Sequence, residues 1–316
     1  MLLSIQFHSH FAVALYIKKN YNFDVIKVPL PFAFCQAEAP RKLLEVLNTV
    51  AEFTGDPEVL NYPSQNKLVI VDETIFTKMR SVLGFNVLYL SEDFSEILPL
   101  PEISNLLPFT INLTELSNIR ASQSLIGSFL PVTPRDMLLQ MAISKTIIRQ
   151  LGYFKKTLPE ELLLSGTVFS YIDDPAMAVE IFLDGVDAVG ACFLLQDRIG
   201  IVPAMTAASL KVVTGDFIKL GSVVIWPGPA TFELFFEGET LPQKLSLEEG
   251  RLARFSVPAN TSVRVTGHGP KGDFDAELLG GALGIVIDTR MRPRIFPKTD
   301  EVRIKLLKEW SKALKS

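Results

Sequence analysis

The chain has few of the side chains that bind metals or act as nucleophiles: 2 cysteines and 3 histidines among 316 residues. Cys35 and Cys192 lie in apolar stretches and neither has a neighbouring cysteine, which predicts buried free thiols in a reducing compartment and no thiolate metal site. His8 and His10 alternate on one side of a predicted strand, and His268 lies in a predicted Gly-His-Gly turn. Because no acidic or cysteine ligand is close in sequence, we favour a structural role for the first two histidines and leave metal binding by them open.

The chain also lacks a charge of one sign and long apolar runs. Its 31 basic and 35 acidic residues are well mixed and give a net charge of −4, which argues against nucleic-acid binding. Residues 188–195, the longest apolar run, are far fewer than the ~20 residues that span a membrane. Residues 1–17 lack the basic start and small-residue cleavage site of a signal peptide. We therefore predict a cytoplasmic protein without a transmembrane segment, and the 48% hydrophobic content leaves peripheral membrane contact open.

Four common catalytic or nucleotide-binding motifs are missing. The sequence has no Gly-x-Ser-x-Gly elbow, no Walker A loop, no Gly-x-Gly-x-x-Gly turn and no cysteine–histidine pair with a third member. Their absence argues against independent catalysis. The function must therefore be inferred from less specific sequence patterns.

Strand and helix patterns alternate over residues 1–110, which is typical of an α/β layer architecture. One helix is well delimited, because an apolar stripe ends before Gly55 and Pro57. Residues 91–110 are rich in proline and leucine and predict an irregular connector. The predicted strands are residues 2–7, 24–28, 67–71 and 86–90, and the predicted helices are residues 11–19 and 41–53.

Residues 111–212 form a second predicted α/β subdomain. Its best-specified helix has Thr133 as a candidate N-cap, Pro134 in the first turn and Gly152 after the last turn. A strand–loop–helix–strand–helix pattern follows it. The predicted helices are residues 112–124, 134–151, 175–185 and 204–210, the predicted strands are residues 161–165 and 191–195, and residues 166–174 are a predicted loop.

From residue 213 the pattern changes to short strands separated by Gly, Pro and Asn turns. This spacing predicts an all-β module of about 80 residues within residues 213–316. An amphipathic helix is predicted to close the chain. The predicted strands are residues 223–226, 231–236, 252–257, 262–266, 277–279 and 285–288, and the final helix is residues 300–314.

One loop has the outline of a phosphate-binding turn. Asp72 ends a predicted strand, where an aspartate can address a metal, and Thr77 and Lys78 follow in the position of a Thr-Lys pair that closes such a turn. No glycine lies between Asp72 and Thr77 to let backbone amides approach phosphate. The alternative is an ordinary turn between a strand and a helix.

A second loop, at Ser165 and Gly166, follows a strand at the kind of edge where α/β sheets bind nucleotides. Only one glycine is present there. We expect Val168 and Phe169 to project into the space that an adenosine would need. The loop is therefore a candidate nucleotide site that bulky side chains obstruct.

The most distinctive stretch is the closing block, residues 280–293, in which a glycine pair and a β-branched run lead into acidic and basic residues before a proline. Its charges, with one following arginine, form an alternating array that could bind a phosphate or carboxylate of a partner. The alternative is an exposed strand end whose arginines are neutralised by Asp300 and Glu301. The candidate partner-binding residues are Asp288, Arg290, Arg292 and Arg294.

The order of several motifs resembles the carboxy-terminal half of the glutamate mutase-associated MutL (GlmL) family, of the actin/Hsp70-like ATPase superfamily. The motifs are residues 116–118, 133–142, 165–166, 184–190, 201–204 and the closing block. The resemblance implies actin-like, RNase H-like sheets flanked by helices, a β-rich appendage, and ATP with magnesium between two lobes. The chain departs from the family because it lacks most of the first lobe and the loop glycines. It also has Thr289 and Met291 where the family has alanine and glycine.

Three functions follow as expectations. The first is a non-catalytic, degenerate actin-like scaffold that binds a protein partner and has no cofactor. The second is an ATP-binding reactivase or chaperone-type subunit that a separate chain completes. The third is a structural component of a membrane-associated assembly, which rests on hydrophobicity and on lysines of the final helix.

Overall fold

The computed structural model describes the chain except for residues 8–10, 19–22, 31–38, 66–67, 72–80, 83–84, 91–97, 127–132, 153, 155, 208–216, 238–240 and 298. It is a mixed α/β protein with three sheets and a terminal helix. Within the described part of the chain, no helix combines the length and the apolar character that crossing a membrane requires.

Strands and helices are each numbered in chain order. The strands are β1 (Leu2–Phe7), β2 (Phe11–Ile17), β3 (Phe23–Pro29), β4 (Leu68–Val71), β5 (Ser81–Val82), β6 (Phe85–Tyr89), β7 (Glu161–Ser165), β8 (Gly190–Gln196), β9 (Ile218–Ile225), β10 (Ala230–Phe236), β11 (Gln243–Leu247), β12 (Leu252–Phe255), β13 (Ser262–Gly269), β14 (Gly272–Leu279) and β15 (Ile285–Asp288). The helices are α1 (Ala39–Thr54), α2 (Leu100–Asn105), α3 (Leu113–Ile126), α4 (Pro134–Leu151), α5 (Thr167–Tyr171), α6 (Pro175–Gly185), α7 (Val202–Ala207) and α8 (Asp300–Lys315).

The first sheet has the order β3-β2-β1-β4. Strands β1, β2 and β3 are antiparallel neighbours, and β4 runs parallel to β1 after the crossover through α1. The predicted helix at residues 11–19 is wrong, because residues 11–17 form the strand β2. All seven of its residues are buried. Ala14 and Tyr16 belong to the core that contains α1, whereas Leu15 and Ile17 belong to the core shared with β6 and α7. A strand covered on both faces is apolar throughout and shows no alternation.

The second sheet has seven strands in the order β12-β15-β9-β8-β7-β6-β5. Strands β6, β7 and β8 are parallel, β9 is antiparallel to β8, and β15 is parallel to β9. The third sheet is antiparallel, with the order β11-β10-β13-β14. Its strand β11 was not predicted from the sequence.

The all-β module predicted from residue 213 is therefore present only in part. Strands β9, β12 and β15 belong to the mixed sheet together with β7 and β8. The reason is that β15 is buried on both faces: Val286 packs in the core that contains α6, while Ile285 and Ile287 pack against the third sheet. The division into domains at residues 110 and 212 stays a prediction.

The helix predictions hold best where capping is explicit. Helix α4 has the predicted bounds, with a capping box between Thr133 and Asp136 and a left-handed Gly152. The predicted loop at residues 166–174 contains the short helix α5, and the predicted irregular connector contains α2, which buries Ile103. The helix predicted at residues 204–210 begins earlier, as α7, and residues 208–210 lie outside the described residues. His268, predicted in a turn, lies in β13.

Glycines let β9 and the closing block approach each other. Gly221 has a φ of +117°, and a Cβ atom there would overlap the carbonyl oxygen of Gly284. A Cβ atom at Gly281 would in turn overlap the backbone of β9. The glycines of the closing block are therefore required by close backbone contact, which aligns β15 beside β9.

The substitution Gly221→Ala tests this contact. We expect it to lower the free energy of unfolding by about 3 kcal/mol or more, because backbone strain and overlap with Gly284 add. The matched control is Gly272→Ala, whose φ is +109° and whose added Cβ atom would meet nothing within 4 Å. It should cost only the strain, about 1–2 kcal/mol. Equal losses in urea unfolding of the two variants would contradict the contact.

Candidate functional site

The first candidate site lies where parallel strands β6, β7 and β8 end. Ser165 is the last residue of β7, and its hydroxyl donates to Oδ2 of Asp197 at 2.8 Å. The same carboxylate accepts the backbone amides of Gly200, Ile201 and Val202 at 2.8, 3.0 and 3.0 Å. Burial raises the pKa of Asp197, and the four donors act in the opposite direction. Asp197 therefore joins β7 to the start of α7.

The loop after Ser165 is packed closely. Gly166 has a φ of +103°, and a Cβ atom there would overlap the carbonyl oxygen of Leu90. Val168 and Phe169, which we expected to project into a nucleotide space, belong to the hydrophobic core together with Leu90, and their exposed fractions are 2% and 0%. The residues of this loop thus fill the protein interior.

The other predicted nucleotide-binding residues, Asp72, Thr77 and Lys78, lie outside the described residues. The same is true of His8 and His10. Of the two predicted buried thiols, Cys192 is free and buried, and burial raises its pKa. Cys35 lies outside the described residues. Among the residues that the structure describes, no three His, Cys, Asp or Glu side chains form a group able to hold a metal ion.

The second candidate site contains the predicted partner-binding residues, and the structure brings all four of them together. They join charged side chains of α4 and α6 in a buried group that we call the ion cluster. Except for Glu180, with 13%, every member has a side chain at most 3% exposed. The ion cluster consists of Lys145, Glu180, Asp184, Asp288, Arg290, Arg292 and Arg294.

Asp288, at the end of β15, organises one half of the ion cluster. Arg290 donates from Nε to Oδ1 at 2.7 Å and from Nη2 to Oδ2 at 2.6 Å, which is a bidentate pair. Nη2 of Arg292 donates to the same Oδ2 at 2.6 Å. The backbone amide of Arg290 also donates to Oδ1, at 3.0 Å. One carboxylate therefore orients two arginines of its own segment.

Asp184, in α6, organises the other half. It contacts Nζ of Lys145 at 2.9 Å, Nη1 of Arg290 at 3.0 Å and Nη1 of Arg294. Lys145 also contacts Glu180 at 2.7 Å. Arg290 bridges the two aspartates, so the segment after β15 is attached to α6 and α4.

The indole of Trp310, in α8, covers the arginines. The guanidinium carbon of Arg290 lies 4.6 Å from the ring centroid, and that of Arg294 lies 5.8 Å from it. The indole nitrogen donates to the carbonyl oxygen of Gly250 at 3.0 Å. Helix α8 is thereby fixed over the ion cluster.

The pKa values show which charges are compensated. Burial alone would raise the pKa of Asp288, but Arg290 and Arg292 outweigh it and hold that pKa below its ordinary value. Arg294 and Lys145 outweigh burial in the same way at Asp184 and hold the pKa of its carboxyl well below the ordinary value. Both aspartates are therefore ionised at neutral pH. The ion cluster nevertheless has four basic and three acidic side chains, and burial together with the charge of Arg290 lowers the pKa of Arg294 well below its ordinary value.

Our alternative expectation for the arginines was wrong in two respects. The strand end is buried, and its partners are Asp184 and Asp288. Asp300 instead pairs with Arg303 at 3.0 Å, and the latter donates to backbone carbonyls after α2. Both alternatives assumed that the arginines face solvent.

Sequence reasoning missed Lys145 and Asp184. One signal was available, because Lys145 lies four residues after Met141 and three before Ile148, on the apolar stripe of α4. A lysine inside such a stripe requires a buried partner. The identity of that partner depends on how α6 packs on α4.

No family model, no curated protein and no solved structure matches this chain.

The substitution Asp288→Asn tests the ion cluster. We expect it to lower the free energy of unfolding by about 3–5 kcal/mol, because it leaves buried arginines without their counter-charge. The control is Asp275→Asn, which breaks an exposed pair with Arg264 whose two side chains are 55% and 56% exposed. That control should change stability very little. Equal effects in urea unfolding would contradict a structural role for the ion cluster.

A pH titration gives a second test. The pKa of Asp288 is lower in the folded protein than in the unfolded chain. Ionised Asp288 therefore stabilises the fold fully at a pH above the pKa that this aspartate has in the unfolded chain, and the stabilisation is lost as the pH falls toward the folded-state pKa. The difference in unfolding free energy between wild type and Asp288→Asn should therefore be constant near neutrality. It should shrink below about pH 4, the ordinary aspartate value. A difference that does not change with pH would contradict the ion pairing.

Proposed function

We propose that this protein is a non-catalytic scaffold that binds a protein partner through the segment after β15. One observation carries the proposal: the segment has its charges inside and its apolar side chains outside. The arginines at 290, 292 and 294 have side chains at most 3% exposed, whereas Met291 and Ile295 are 41% and 87% exposed. We call residues 290–297 the docking segment.

Such an arrangement suits binding. Exposed apolar side chains that lie together mark interaction surfaces more often than isolated ones do. The docking segment is held by the ion cluster, so its backbone loses little freedom when a partner covers it. The buried arginines then contribute by fixing the backbone, and the partner need not touch them.

A groove of 550 Å³ lies beside the docking segment. Its apolar lining includes Pro297, Leu306 and Trp310, and its acidic lining consists of Glu248, Glu249 and Glu309. Arg290 and Arg294, which also line it, are paired with aspartates of the ion cluster. Of the other lining residues that the structure describes, Arg251 alone is basic and opposes the three glutamates. We infer that the partner presents an apolar side chain flanked by lysine or arginine.

The resemblance to the MutL family agrees with this proposal at a coarse level, since a mixed α/β protein with a terminal helix is the expected class. An actin-like arrangement of the first sheet and the seven-stranded sheet remains part of the proposal. The motif best preserved in sequence, the closing block, leads directly into the docking segment.

One observation favours the second function, an ATP-binding subunit completed by another chain. Ser165 and Asp197 lie at the carboxyl ends of parallel strands, where α/β sheets bind ligands. Against it, Asp197 already accepts four donors from its own chain. We rank this function second.

Site-specific crosslinking tests the docking segment. A photoreactive amino acid replacing Ile295 should give a discrete crosslinked protein in cells that naturally contain the chain, whereas the same residue at Leu241, which is 79% exposed elsewhere, should not. With that partner purified, Ile295→Asp should weaken binding at least about tenfold, as loss of an anchor does. Leu241→Asp should leave the affinity unchanged. Unfolding should be unaffected in both variants, and equal affinities would contradict the proposal.

Calorimetry with ATP and magnesium separates the two functions. For a non-catalytic scaffold we expect no saturable heat, either with the chain alone or with its purified partner. Binding tighter than about 100 μM, or hydrolysis that Asp72→Ala abolishes, would favour the ATP-binding subunit and contradict our proposal.

A further inference from the structure

A second cavity, of 280 Å³, lies against the opposite face of α8. Residues 307, 308, 311 and 312 line it, whereas residues 306, 309 and 310 line the groove beside the docking segment. At 100° per residue these two sets point in opposite directions from the helix axis. We call this second cavity the lysine cleft. None of the residues that line it belongs to the docking segment.

Helices α4, α6 and α8 and the segment after α2 supply the walls of the lysine cleft. Its walls are mostly apolar, and half of its lining residues belong to this group: Leu106, Pro108, Leu138, Met141 and Leu307. Clefts between packed helices with apolar walls and a few polar groups are typical small-molecule sites. A volume of 280 Å³ corresponds to about nine non-hydrogen atoms at the ~30 Å³ that each water occupies in the liquid.

The charges of the lysine cleft are unbalanced. Lys145, Lys308 and Lys312 line it, and among the lining residues that the structure describes Glu180 alone is acidic. Lys145 already pairs with Glu180 and Asp184. Within the described part of the chain, Lys308 and Lys312 have no ion-pair partner, although they lie one turn apart on α8 and repel each other. An anion between them would remove that repulsion.

Lys145 supplies a further donor. Its ammonium has three N–H groups, and the described residues provide two carboxylate acceptors, at 2.7 and 2.9 Å. The side chain is 3% exposed yet lines the cleft. A buried lysine and two lysines of α8 thus line the same cleft and are the donors available to a carboxylate in it.

We propose that the lysine cleft binds a free small-molecule monocarboxylate that has an apolar body and about nine non-hydrogen atoms in all. The apolar body contacts Leu138 and Met141. The carboxylate lies between Lys308 and Lys312. A medium-chain fatty acid or a compact aromatic acid has this chemistry.

Octanoate and its uncharged analogue octanamide are suitable probes for calorimetry with the full chain at neutral pH. We expect saturable, one-to-one binding of octanoate that is about tenfold or more tighter than that of octanamide, because charge-assisted hydrogen bonds are lost in the amide. Nuclear Overhauser contacts from the octanoate chain to the Met141 methyl group should locate the ligand. Equal affinities of the two probes would overturn the proposal.

Two variants and a matched control sharpen the test. The double variant Lys308→Gln/Lys312→Gln should weaken octanoate binding about tenfold. The control Lys305→Gln/Lys315→Gln changes the same helix by the same charge outside the cleft and should leave the affinity unchanged. Leu138→Trp should fill the cleft and abolish binding while the thermal unfolding midpoint is retained. Equal losses in the two lysine pairs, or unchanged binding by Leu138→Trp, would overturn the proposal.

Anionic lipid vesicles distinguish a cleft from a membrane-binding face. We expect vesicles of phosphatidylglycerol to leave octanoate affinity unchanged and to bind no protein in flotation. Vesicle binding that depends equally on all four lysines of α8 would assign them to a membrane surface and overturn the cleft.

Discussion

The pairing of Asp184 and Asp288 with buried arginines is the constraint on which the rest of this part of the protein depends. Removing charges from water costs several kcal/mol per ion unless partners with good geometry compensate them. The two aspartates therefore hold Arg290 and Arg294 in one arrangement, and the backbone between these arginines follows. Exposure alternates along residues 290–295, and Met291 and Ile295, which are 41% and 87% exposed, lie on the outer side. The exposed apolar surface is thus a consequence of the buried ion pairs.

The same constraint organises the elements around it. Gly221 and the glycines of the closing block allow β15 to lie beside β9, which brings Asp288 to the edge where α6 ends. Trp310 then packs on the arginines and fixes α8, whose two faces line the groove and the lysine cleft. Lys145 joins the ion cluster to the cleft. Two cavities of different charge therefore flank one helix that is attached through one buried network.

Local patterns in the sequence predicted the elements whose signals are local. Three elements have their predicted bounds: helix α4 with its capping box, strand β7 and helix α6. Their start and stop residues act on adjacent backbone groups, so the signal is local. Strand β2 was mistaken for a helix because burial on both faces removes the alternation that identifies a strand. Asp197 was missed although three of its four donors are backbone amides three to five residues further along the chain; only the hydroxyl of Ser165 reaches it through the pairing of β7 with β8.

By itself, the sequence determined the α/β class, the small number of cysteines and histidines and the unusual arginine-rich end of the closing block. Composition, spacing and capping act over a few residues, so they can be read along the chain. Only the tertiary structure decided that the arginines are inside and the apolar side chains outside. The physical reason is that this choice depends on Asp184 and Lys145, which are more than a hundred residues away along the chain and reach the arginines only through the packing of α4 and α6 against β15.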